Sequence, residues 1–227
     1  MLVFEHGDGG IEALERFARQ LIIPGFLPLD SVLEYVAEWI ADGGRIPLAQ
    51  AEAATRRIWR ERLAEQRNWT EPGDYNRLLL AYADLESQGI LARMNFTCCK
   101  QCATTEIDFE RTAHPNPPDW YRYREWAYVY FHQQDGDRLA EDNPELLFGY
   151  SAFRLLPGTP AEIYRRIAAG DRQLEDEVGL RTDTEVGRRI VAAFTRQGLR
   201  VSWGGDPDTR IGVRIDAWRK PLPEFDE

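Results

Sequence analysis

Cysteine is scarce in this chain of 227 residues: there are three, Cys98, Cys99 and Cys102. An odd number confined to one short segment excludes a disulfide framework, and a reducing, cytoplasmic setting is the simplest expectation. Long apolar runs are missing too; the longest fall far short of the ~20 residues that span a bilayer. Met1 to His6 has neither the basic start nor the sustained apolar stretch of a secretory leader, so none is expected. Lysine is nearly absent, 2 residues against 26 arginines, which reads as the coding bias of a GC-rich bacterial genome. Clustered positive charge is lacking as well. The net charge is −10, distributed as −6 up to Gly89 and −4 beyond it. Binding to nucleic acid rests largely on clustered cations, and neither part supplies them. Arg56, Arg57, Arg60 and Arg62 are interrupted by Glu61 and followed by Glu65, the pattern of a solvated helix face. Neither nucleic acid nor membrane is an expected partner. No phosphate-binding loop, dinucleotide fingerprint, nucleophile elbow or H-E-x-x-H motif occurs.

Material for a core is plentiful. Apolar residues make up 43% of the chain and aromatic ones 11%, including 7 tryptophans, which excludes wholesale disorder. The pattern predicts an α+β fold. Residues 1–89 read as a helical N-terminal segment: Ile11, Leu14, Phe17 and Leu21 recur at helical spacing before Pro24-Gly25. Ser31 and Glu34 are spaced as a capping box ahead of Val32, Val36, Trp39 and Ile40. A polar helix follows Pro47, and Asp74 stands where a fourth would be capped. Residues 90–220 read as an α+β domain with a mixed, partly antiparallel sheet of about five strands and packed helices. The strands are expected at 90–96, 126–132, 146–153, 199–203 and 210–215, the last two joined by a hairpin loop. Helix starts are expected at Thr159-Pro160 and, from a second capping box, at Thr182 and Glu185. Residues 221–227, with two prolines and three acids, read as a flexible acidic tail.

Chemistry concentrates in two segments. Phe96-Thr97-Cys98-Cys99-Lys100-Gln101-Cys102 lies where a strand ends and a helix begins; Phe131-His132-Gln133-Gln134-Asp135 closes the next strand. If those strands are neighbours with the helix as crossover, the two motifs share one sheet edge. Three readings are open. Zinc binds thiolates and imidazoles at tetrahedral corners, and Cys98, Cys99, Cys102 and His132, with Asp135 as an alternative fourth ligand, supply such donors. A thiol near a helix N-terminus is a candidate nucleophile, with Cys99, His132 and Asp135 as the catalytic candidates. Free cysteine is also a small hydrophobe that packs inertly, and His132, beside Tyr128 and Tyr130 by alternation, is equally a structural residue. His114, in a proline-rich loop, is expected to face solvent, and His6 to be a bystander.

At Phe96 to Cys102 and Phe131 to Asp135 the chain resembles a bacterial, mainly actinobacterial, domain family of unknown function with an F-x-C-C-x-x-C motif and an F-H-x-Q-D motif. The resemblance runs over roughly Ile90 to Trp218. Relatives carry glycine after the third cysteine where this chain has Ala103, so a role that needs a left-handed backbone there is not expected. The resemblance implies no activity. Without a complete catalytic set, the reading is a cytoplasmic binding or interaction module for an unidentified protein or small molecule. The alternative is a metal-binding or thiol-dependent enzyme built on Cys98, Cys99, Cys102 and His132.

Overall fold

The computed structural model describes residues 9–117 and 121–223; His6 and residues 224–227 lie outside them. The helices are α1 (Ile11–Ile22), α2 (Leu29–Ala41), α3 (Leu48–Arg67), α4 (Asp74–Ser87), α5 (Lys100–Glu106), α6 (Gln133–Gly136), α7 (Ala161–Ala168) and α8 (Arg172–Arg196). The strands are β1 (Ile90–Arg93), β2 (Ala127–Tyr130), β3 (Glu145–Ala152), β4 (Arg200–Ser202) and β5 (Ile211–Arg214). They form one five-stranded sheet in the order β1-β2-β3-β5-β4. The β1–β2 pair is parallel, while β2–β3 and β4–β5 are antiparallel. The fold is therefore α+β with a mixed sheet, as the sequence pattern predicts. Among the described residues no helix is long and apolar enough to cross a membrane.

The chain packs as two compact units, Met1–Asn76 with Gln133–Glu145 and Ile215–Glu227, and Arg77–His132 with Leu146–Arg214. This division differs from a single break at Gly89, and its cause is long-range. In the first unit α1, α2 and α3 bury Leu14, Val36, Trp39, Ile58 and Trp59 around one core, which Leu222 joins. The indole N–H of Trp218 donates to the Pro24 carbonyl at 3.0 Å, and the buried Arg62 donates to the Trp218 carbonyl at 2.7 Å. The Leu222 N–H donates to Gln66 Oε1 at 3.0 Å. The expected tail is thus packed as far as Leu222.

In the second unit the sheet is covered on both faces. Alternation along β2 sends Val129 and the following Phe131 to one side, where Phe131, Phe148 and Phe194 of α8 stack edge to face at 5.7 and 4.9 Å. Tyr128 and Tyr130 face the other way. There Tyr130 packs with Leu91, Ala103 and Ile107, so α5 and the 3₁₀ turn after it cover that face. Gly149, opposite Tyr130 in the ladder, makes room for its ring; a Cβ at that position would lie 2.8 Å from it.

Neither capping box operates as expected. Helix α2 starts at Leu29, two residues before Ser31, with Pro28 as its cap. Thr182 and Glu185 lie deep inside α8, which Asp171 caps by accepting the Leu174 N–H. Thr182 donates back to the Val178 carbonyl at 2.7 Å, and Glu185 pairs with Arg189 one turn on at 3.0 Å. A Thr-x-x-Glu spacing therefore also arises mid-helix from these two local interactions. At the start of α7, Pro160 rather than Thr159 is the cap.

Asp74 acts as a clasp for the returning chain: its carboxylate accepts the backbone N–H groups of Asp216 and Ala217 at 2.7 and 2.8 Å. Replacing Asp74 by Ala removes the acceptor for two amides, and the expected loss is about 2–4 kcal/mol. Urea denaturation measures it; a change under ~0.5 kcal/mol would contradict the clasp.

Candidate metal and thiol site

The parallel pairing of β1 and β2, with α5 in the crossover, brings the two sequence motifs to the same end of neighbouring strands. Backbone bonds extend the contact past the strand ends: Phe131 N–H donates to Arg93 O at 3.2 Å, and Phe96 N–H to Phe131 O at 2.9 Å. The carboxyl end of parallel strands is where α/β units place ligand sites.

Between Arg93 and α5 the chain turns sharply. Asn95 and Thr97 both adopt left-handed backbone angles, φ +52° and +53°. For Asn this is common, but for a β-branched residue it is an outlier and costs about 1–3 kcal/mol. The Thr97 hydroxyl is also buried without a hydrogen-bond partner among the described residues. Cys99 follows in an extended conformation (φ −153°) as the residue that opens α5. Cys102, three positions on, comes round the first turn to the same side. Ala103 is buried in the helix, and its N–H donates to Cys99 O at 3.0 Å.

The three sulfurs converge. All lie within 4.8 Å of one another, and the Cys98 and Cys102 sulfurs are 3.3 Å apart. All three side chains are half-buried and carry free thiols. The Cys99 thiol is held below its ordinary value, chiefly by the Cys102 backbone N–H, although no cap hydrogen bond closes; the Cys102 side chain adds to this and partial burial opposes it. Cys102 is pushed the other way, up to about 11, first by its hydrogen bonds to the Cys98 and Cys99 sulfurs and further by burial and by their charge. The cluster is polarised: Cys99 gives up its proton most readily of this pair.

Among the described residues, no fourth metal-binding side chain joins the three sulfurs within that distance, so His132 and Asp135 stand outside the set. His132 is buried directly after β2. Asp135, also buried, belongs to α6; its charge, after burial, helps push the neighbouring Asp137 carboxyl up to about 7. His114 is half-buried, and its Nδ1 accepts the Asn116 N–H at 3.1 Å. Tyr130 was not a sequence candidate. Its hydroxyl lies 3.4 Å from Thr104 Oγ1 on α5, and the tyrosine alternation along β2 is the signal that could have found it.

The opposed shifts predict a reactivity order. Peptide-resolved alkylation across pH 6–10 is expected to modify Cys99 at lower pH than Cys102. The same midpoint for both, or the reverse order, would contradict this geometry.

The model of a family described as Domain of unknown function (DUF6891) matches residues 9–222. Searches of curated proteins and of solved structures returned no match. The match spans both compact units and the cysteine segment, and the chain belongs to the DUF6891 family, a domain of unknown function.

Proposed function

We propose that this protein is a binding module whose ligand is a thiophilic metal cation such as zinc, held by Cys98, Cys99 and Cys102. One observation carries the reading: three sulfurs lie within 4.8 Å of one another. Zinc–sulfur bonds of about 2.3 Å at tetrahedral angles put sulfur corners about 3.8 Å apart. The 3.3 Å Cys98–Cys102 separation therefore has to open by only a few tenths of an ångström. Thiolates favour zinc and softer cations over magnesium or calcium. Three protein sulfurs leave one coordination position for water or another donor, the arrangement of reactive rather than purely structural zinc sites. Coordination would also give the strained Asn95–Thr97 turn a reason, since that turn delivers Cys98 to the helix that carries the other two sulfurs.

The test is zinc competition against a chromophoric chelator, with cobalt substitution to detect sulfur-to-metal charge-transfer bands. One equivalent is expected to bind. Cys98→Ser, Cys99→Ser and Cys102→Ser should each weaken binding more than about 100-fold, beyond what is lost by changing residues that only orient the ligands. His132→Gln should leave it unchanged. Absence of tight zinc binding, or serine variants that bind as well as the parent, would overturn the proposal. Ready formation of a Cys98–Cys102 disulfide in protein that takes up no metal would move the site to redox chemistry.

A further inference from the structure

Helix α8 has two interior glycines of opposite kind. At Gly187 an added Cβ would lie 2.6 Å from the Trp203 ring, so the indole occupies the space of the missing side chain. At Gly179 an added Cβ would meet no atom within 4 Å. Glycine inside a helix is destabilising relative to alanine, and no packing contact accounts for it here. Gly179 borders a cavity of about 310 Å³ formed by the end of β3 and the residues after it, α7 and α8. All of its lining belongs to the second unit, and none of it to the cysteine segment.

The lining is mostly apolar, with Phe153, Leu155 and Ile167 among it, and two half-buried carboxylates border it, Asp183 and Glu175; Glu175 is already paired with Arg172 at 2.6 Å. Asp183 Oδ1 accepts from Ser151 Oγ and from the Ala152 N–H, both at 2.9 Å. Among the described residues its second oxygen accepts no hydrogen bond and no cation pairs with it. Burial first, with the charge of Asp208 adding to it, holds this carboxyl above its ordinary value. A half-buried carboxylate with an idle oxygen at the border of an apolar cavity is matched by a cationic donor attached to hydrocarbon.

We propose that this cavity binds a small primary ammonium compound with an apolar body, its ammonium on Asp183 and its hydrocarbon against Phe153, Leu155 and Ile167. The volume lies at the small end of ligand pockets and suits one aromatic ring or a branched alkyl chain. The ammonium group belongs either to a simple amine or to an amino acid with an apolar side chain; in the second case Arg154, which also lines the cavity, receives the carboxylate. Entry falls to α7. None of its residues is buried, and it lies between Gly158 and Gly170, both at positive φ.

Calorimetric titration of the full chain with 2-phenylethylamine, L-phenylalanine and neutral 2-phenylethanol tests the proposal. Saturable binding of at least one ammonium compound is expected, weakened about tenfold or more in Asp183→Asn. Gly179→Leu should abolish it by filling the cavity, while its thermal transition stays at or above that of the parent because leucine is the better helix former. Tighter phenylalanine assigns the amino acid, tighter phenylethylamine the amine. Binding of 2-phenylethanol as tight as that of the amine, an Asp183→Asn variant with unchanged affinity, or no saturable binding of either ammonium compound at millimolar concentration would overturn it.

Discussion

The parallel pairing of β1 with β2 is the constraint from which the candidate site follows. Parallel neighbours cannot be joined by a tight turn; the chain must leave the sheet and return through a crossover. The crossover here starts with Cys98-Cys99 and the first turn of α5, so the sulfurs stand where one strand ends beside the end of its neighbour. The backbone bonds from Phe96 and Phe131 lock that junction beyond the formal strands. Tyr130 fixes α5 from beneath, packing with Ala103 and Ile107 in space that Gly149 leaves open. Were β2 antiparallel to β1, Phe131 and His132 would lie at the opposite end, and the two motifs would not meet.

Much of this arrangement was legible in local pattern. The aromatic and β-branched run at 126–132 marked β2, alternation put Tyr128 and Tyr130 on one face, and the hairpin at the C-terminal end showed in its turn residues. Long-range terms were not legible. That Trp218 and Leu222 pack back onto α1–α3, with Asp74 clasping the chain between them, depends on contacts about 140 to 200 positions apart in sequence, which no periodicity encodes. The misplaced capping boxes have a local cause. Threonine inside α8 satisfies its hydroxyl on a carbonyl one turn back, and the same spacing of residue types then imitates a helix start. The approach of Cys102 to Cys99 follows from their spacing across the first turn of α5, but the arrival of Cys98 depends on the left-handed turn before it, and the position of His132 relative to them was not legible either, because alternation gives a face and never a distance. Gly179 carried no sequence signal at all, since only the empty space beside it distinguishes it from Gly187.

The site also concentrates several local costs in one short segment. A β-branched residue in a left-handed conformation, a buried hydroxyl without a partner among the described residues and three thiols crowded together occur within six residues. Inert packing does not by itself call for three sulfurs within 4.8 Å of one another. The proposed cation capture would give the crowding a purpose, because coordination would replace contacts between protons and sulfurs with metal–sulfur bonds.

X-ray absorption at the zinc edge of the loaded protein addresses the central claim most directly, since it counts sulfur neighbours without reference to any variant. The account predicts three sulfurs at about 2.3 Å and one lighter scatterer at about 2.0–2.2 Å. A first shell made mainly of nitrogen and oxygen, or one holding a single sulfur, would contradict it.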